Sequence, residues 1–248
     1  LFAVDQFLMQ GGTVVLSSAP FNAQVDRSIT ARSLKSGLEE WLAGHGITLE
    51  QAMVLDPDNA ALPVPVERNL GGFAVQEIRM LDYPYFPSIR GAGLNPDSPV
   101  TAALGEVAMT WASPIVLDEE KNQGRQVTRL LSSSDASWTS DSSDVLPDFR
   151  RHSRWGFEPG EQRGRHTLAV AVQGRFDSGF AGKDSPLIQI VEEQPEEPDN
   201  PEAVSEEEAP EQPVVTGVIK RSPESARIIL FASNSFLADD TLALAGQG

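Results

Sequence analysis

Val4, Phe7 and Leu8 recur at helical spacing over the opening residues, and Gly11-Gly12 can adopt the left-handed backbone that stops a helix. Thr13 to Leu16 is then a short β-branched run, so the pattern predicts a helix feeding a strand. A strand apolar along its whole length suits an α/β sheet whose two faces are both covered. Arg227-Ile228-Ile229-Leu230-Phe231-Ala232 repeats the pattern near the other end, again followed by small polar residues, Ser233-Asn234-Ser235. The two strands are expected in one sheet.

Between them, residues 31–45 give the strongest helical stripe, with Leu34, Leu38, Trp41 and Leu42 on one face and Gly44 and Gly46 at its end. Ala52 to Asp56 reads as a strand closed by Pro57. Residues 57–71 hold three prolines without periodicity and are expected to be loop. Phe73 to Asp82 reads as strand, Tyr83-Pro84-Tyr85-Phe86-Pro87 as an extended aromatic segment. Ser98-Pro99 has the form of a helix start running to about Leu104. Val107, Met109 and Trp111 alternate like a half-buried strand, and Val127–Leu131 and Thr167–Gly174 read as further strands. Residues 139–164 are polar, with Trp155 and Phe157 as isolated apolar points. The elements together predict an α/β fold, a three-layer sandwich with a mainly parallel central sheet.

Residues 192–213 break this pattern. Ten of the chain's 36 acidic residues fall here, with several prolines and no Lys or Arg, too little apolar surface to offset chain entropy. The expectation is a single domain over residues 1–248 carrying a disordered acidic insertion at about 192–213. The formal net charge of −17 excludes the basic footprint that nucleic acid requires. The chain has no cysteine, which removes disulfides, thiolate metal sites and cysteine nucleophiles. No apolar run approaches the roughly 18 residues of a membrane span. Leu1 stands inside a helical pattern without a cap, which suggests a segment of a longer protein.

Six motifs in one order carry a resemblance. They are Gln6-Phe7-Leu8-Met9-Gln10-Gly11-Gly12, the Trp41 helix with Gly46-Ile47-Thr48, Ser98-Pro99-Val100-Thr101, Leu130 to Ser134 with Trp138, Leu168 to Gly174, and Arg227 to Phe231. Together the chain resembles the GldG-type auxiliary proteins of ABC transport systems. The resemblance implies a fold similar to class I glutamine amidotransferase-like domains. It also implies a non-catalytic, periplasmic or extracytoplasmic domain of an inner-membrane protein. The partners would be the ABC permease and ATPase subunits, with tethering by transmembrane helices outside these residues. The family commonly carries an Asp after the last strand, where this chain has Ala232-Ser233-Asn234.

Candidate chemistry is sparse. A Ser-His-acid triad would have to use His45, His152 or His166, and no Gly-x-Ser-x-Gly elbow occurs. His45, between Gly44 and Gly46, suits a cation near a helix C-terminus. The acidic run lacks the ligand spacing that wraps calcium, so no metal and no cofactor are expected. A ligand site is expected at strand ends, where Ser17, Ser18, Ser133, Ser134, Ser233 and Asn234 offer polar groups and Trp138 a stacking ring. The competing explanation is that these residues cap the loops after strands. Tyr83, Tyr85 and Phe86 can anchor a partner or lie over the core. Two further functional classes stay open, a sugar- or peptide-binding module and a hydrolase or transferase derived from an amidotransferase-like fold.

Overall fold

The computed structural model of the chain describes residues 1–25, 28–70, 73–183, 185–186 and 217–239. In chain order they form α1 (Phe2–Met9), β1 (Thr13–Ser17), β2 (Phe21–Val25), β3 (Ile29–Ser33), α2 (Glu39–Gly44), β4 (Ile47–Leu49), β5 (Met53–Leu55), β6 (Asn59–Leu70) and β7 (Phe73–Arg90). A 3₁₀ turn (Gly91–Gly93) precedes β8 (Glu106–Ala108), β9 (Ile115–Leu117), β10 (Gln126–Ser132), β11 (Trp138–Ser140), β12 (Thr167–Gln173) and β13 (Arg227–Phe231). The acidic run expected to form a disordered insertion lies outside the described residues.

β1 and β13 do share a sheet. They pair in parallel, Val14 beside Ile228 and Leu16 beside Leu230, at one side of a four-stranded sheet ordered β1-β13-β12-β10. β12 runs antiparallel to both β13 and β10. Antiparallel pairs β2-β3, β4-β9 and β5-β11, and the three strands β6-β7-β8, make up the other sheets.

This overturns the expected α/β sandwich with a mainly parallel central sheet. β1-β13 is the one parallel pair among the described strands, and the two α-helices span 8 and 6 residues. The reason is physical. An apolar run reports burial on two faces and says nothing of what covers them. Ile228, Leu230, Val170 and Val172 pack toward Leu8, Trp41 and Leu42 of the helices. On the opposite face, Ile229 and Ala169 pack against Val54, Ile89, Met109 and Ala112, which come from strands and loops. One side of the central sheet thus has a β-rich cover where the third, helical layer was expected.

Three local expectations fail for identifiable causes. The helix expected over residues 31–45 starts only at Glu39, because residues to Ser33 pair with β2 and Gly37 takes φ +81°. The Glu39 carboxylate then accepts the N–H groups of Ser36 (2.7 Å) and Gly37 (2.9 Å) ahead of the helix. Residues 57–71, expected to be loop, contain the whole of β6, which pairs with β7 from Ala61↔Asp82 to Leu70↔Phe73. β6 is an edge strand, where Pro63 and Pro65 are tolerated because their missing N–H groups can face away from the ladder. Ser98 starts a single turn, closed by the N–H of Ala102 on its carbonyl at 2.8 Å, and no helix follows.

A further cluster, built on Phe21, Met53, Leu55, Leu62, Tyr83, Tyr85, Phe86, Trp111, Trp138 and Phe157, fills the region under β2, β5 and β7. It holds both tyrosines of the chain, together with Phe21, Phe86, Phe157, Trp111 and Trp138.

Candidate functional site

The strand ends that the sequence singles out do not form one site. Asn234, after β13, locks the loop after β1. Its Nδ2 donates to the carbonyls of Ala19 and Phe21, both at 2.7 Å, and its Oδ1 accepts the Ala19 N–H at 3.0 Å. Ser17 donates to the Ser233 carbonyl, and the Ser18 N–H donates to the Phe231 carbonyl. The Ser233 hydroxyl donates to the Thr110 carbonyl at 2.6 Å and accepts the N–H groups of Ser235 and Phe236. Ser18 and Ser233 are buried. Ser17, Ser233 and Asn234 are staples between loops, with their side-chain polar groups spent on main chain.

Ser133 and Ser134 follow β10 and belong to a second network. Asp56, fully buried at the end of β5, accepts the Ser134 N–H (2.7 Å), the Ser134 hydroxyl (2.6 Å) and the Asp58 N–H (2.9 Å). Ser133 Oγ lies 2.7 Å from the Ser137 hydroxyl and accepts the His166 N–H at 2.8 Å. Ser133 and His166 therefore meet through the main chain of His166. Burial pushes the His166 imidazole below its ordinary pKa.

Around this network lies a cleft of about 250 Å³ that does present polar groups to solvent. Its walls are the end of β7 with the 3₁₀ turn, the Ser132–Ser134 segment, Asp58 and Arg165. Gly93 allows the turn to approach β10, since a Cβ there would fall 2.6 Å from the Ser132 carbonyl oxygen. Arg165 grips Asp135 with two hydrogen bonds of 3.1 and 3.2 Å and donates to the Ala92 carbonyl at 3.0 Å. Arg90 meets Asp58 more loosely, at 3.8 Å, with both side chains largely exposed. A guanidinium held so weakly is free to turn to a ligand carboxylate, because exposed pairs of this kind gain little. The cleft can hold a small polar or anionic group. Two of its hydroxyls meet carboxylates, Ser134 on Asp56 at 2.6 Å and Ser88 on Glu106, and among the described residues neither is hydrogen-bonded to a histidine.

Tyr83, Tyr85 and Phe86 lie inside the aromatic cluster, 0%, 1% and 4% exposed. The Tyr83 hydroxyl donates to the Val145 carbonyl at 2.7 Å, and burial raises its pKa well above the usual phenol range. Burial also pushes Tyr85 up to about 12. Trp138 is 1% exposed, with the Arg163 guanidinium 4.2 Å over its ring and Trp155 beside it at 5.5 Å. His45, expected to carry a charge at the end of α2, is buried between Trp41 and Phe176, and desolvation pushes its pKa down to about 4. It is neutral at physiological pH.

One cavity escaped the sequence reading. About 260 Å³ lies beneath Tyr85, lined by Ser140, Asp144, Asp148, Arg151, His152 and Glu158. All six lie in the polar stretch 139–164, where no periodicity marks which side chains turn inward. Among the described residues, no group of three or more His, Asp and Glu is arranged to hold a metal ion, and no helix is long and apolar enough to cross a membrane.

Residues 1–247 match the family model described as an ABC-type uncharacterized transport system, whose name indicates an auxiliary component. No curated protein and no solved structure matches the chain.

Proposed function

The chain belongs to the ABC-type uncharacterized transport system family, and from that membership we propose that it is a non-catalytic, extracytoplasmic domain of the GldG type. As an auxiliary component it presents a surface to the permease or to the transported substrate. The carrying observation is the family match across residues 1–247. Two structural features support the non-catalytic reading. Ser17 and Ser233 spend their hydroxyls on carbonyls, Ser133 on Ser137 and Ser134 on the buried Asp56. The buried histidine His45 packs edge-on against Trp41 and Phe176.

A topology experiment tests the location. In spheroplasts of cells making the full-length parent protein, added protease should degrade this domain while the outer face is exposed and a cytoplasmic marker stays intact. Protection until the membrane is lysed would refute the extracytoplasmic assignment.

The cleft at Arg90 and Arg165 favours a second, compatible reading as a binding module for a sugar acid or a peptide carboxylate. A thermal-shift screen with cell-wall fragments tests it, since a ligand at 100 times its dissociation constant stabilises by about 2.7 kcal/mol. Stabilisation that survives Arg90→Ala would place the ligand elsewhere.

A further inference from the structure

β7 pairs with β6 over Phe73 to Asp82 but meets β8 only from Ser88 to Arg90. Along Ala74 to Asp82, the far edge of β7 therefore faces no strand among the described residues. The β7 side of the ribbon stands clear of the core, with residues 74–80 all exposed, including Val75 (44%), Ile78 (53%) and Met80 (48%). Its two edges are not equivalent. β6 carries Pro63 and Pro65, and a strand proline turns its donor-less nitrogen away from the ladder, so the outer edge of β6 lacks two N–H groups. From Ala74 to Asp82, β7 has no proline and no lysine, the residues that usually blunt an edge.

We propose that this edge of β7 pairs antiparallel with the same edge of a second copy of the chain, about a two-fold axis through Ile78. The residue order selects that register. With Ile78 opposite Ile78 of the second copy, Glu77 falls opposite Arg79 and Arg79 opposite Glu77. On the same face Val75 meets Leu81, and on the other Gln76 meets Met80. Glu77 already meets Arg68 across the hairpin at 3.7 Å, so Arg79 of the second copy extends an existing row of alternating charge. Moving the axis by one residue destroys the match. Centred on Glu77 the two glutamates oppose each other, and centred on Arg79 the two arginines do, both destabilising for directly opposed residues. Pairing joins two two-stranded ribbons, each marginal in water, into a four-stranded sheet and removes both open edges.

The chain has no cysteine, so a single introduced thiol reports the register without interference. At the axis, opposed Cα atoms lie about 4.5–5.5 Å apart, within reach of a disulfide. Ile78→Cys is expected to form a disulfide-linked dimer under mild oxidation. Val75→Cys, roughly 20 Å from its counterpart in this register, is expected to stay monomeric. In sedimentation velocity on the full chain, Glu77→Arg should weaken self-association at least tenfold. Arg79→Glu should do the same, and the double swap should restore it. A chain that is monomeric at several hundred micromolar overturns the proposal. So does self-association unaffected by Glu77→Arg, or cross-linking no faster at position 78 than at position 75.

Discussion

The carboxylate of Asp5 in α1 accepts the indole N–H of Trp41 in α2 at 2.9 Å, with both side chains buried. The same carboxylate accepts the Ser178 hydroxyl at 2.5 Å, the Gly179 N–H at 3.0 Å and the Gln6 amide at 3.1 Å. Gln6 in turn holds Ile219, accepting its N–H at 2.7 Å. One helical turn thus ties together α1, α2 and the two segments that flank the acidic stretch. Asp5→Ala strands several donors in the interior and is expected to cost about 3–4 kcal/mol, because each buried group left unpaired costs about 1–3 kcal/mol. Asp5→Asn, which keeps one acceptor, should cost less. Urea unfolding measures both, and equal losses would contradict the network.

Asp56 plays the corresponding part between β5 and the loop after β10. Removing its carboxylate leaves the Ser134 N–H, the Ser134 hydroxyl and the Asp58 N–H without their acceptor. Asp56→Ala is expected to cost about 2–4 kcal/mol. It should also loosen the Ser132–Ser134 wall of the cleft, which hydrogen exchange at the Ser134 amide would detect as faster opening.

At Asn234 the prediction turns on sign rather than size. Its Nδ2 donates to two carbonyls, a role that a carboxylate cannot fill. Asn234→Asp is nearly isosteric, yet it would set a negative charge against the Ala19 and Phe21 carbonyls. A loss of roughly 2–4 kcal/mol at neutral pH is expected, partly recovered as the new carboxyl protonates in acid. A neutral substitution by urea unfolding would mean that the loop after β1 is held by other contacts.

The pH dependence follows from His45. Burial holds its folded pKa at about 4, with Asp5 opposing that shift and Arg125 adding to it, while the unfolded value is about 6.5. Between those values the unfolded chain carries a proton that the folded chain refuses. The contribution of His45 is present above about pH 6.5 and is lost as pH falls toward 4, with a limiting slope of about 1.4 kcal/mol per pH unit. His166, shifted in the same direction, adds to the trend. His45→Leu should flatten the stability profile in this window relative to the parent chain, and an unchanged slope would contradict a neutral His45.

The strands β1 and β13 were legible because five-residue apolar runs bounded by glycine and serine have few other uses. What covers them was not legible, since burial on two faces leaves the same trace whether a helix or a strand lies above. Gly37 shows how one residue redirects a pattern. Leu34, Leu38, Trp41 and Leu42 hold helical spacing, but the left-handed backbone at Gly37 separates Leu34 from the rest, and Leu34 ends up exposed. Pro63 and Pro65 concealed a 12-residue strand because proline reads as a break in sequence, whereas an edge strand tolerates it. At the candidate site, Ser133 and Ser134 line the cleft, whereas Asp56, which binds Ser134, and the rim residues Arg90 and Arg165 come from distant segments. No spacing rule links residues that only tertiary folding brings together. Tyr83, Tyr85 and Phe86 look alike in sequence whether they point in or out, and the structure turns all three inward.

The auxiliary role is tested most directly by co-purification. The tagged full-length parent protein, isolated from detergent-solubilised membranes, should recover an ABC permease together with its ATPase in stoichiometric amounts. Deletion of the segment corresponding to residues 1–248 should abolish that recovery. Isolation of the intact protein without any transporter subunit would contradict the assignment, as would recovery unchanged by the deletion.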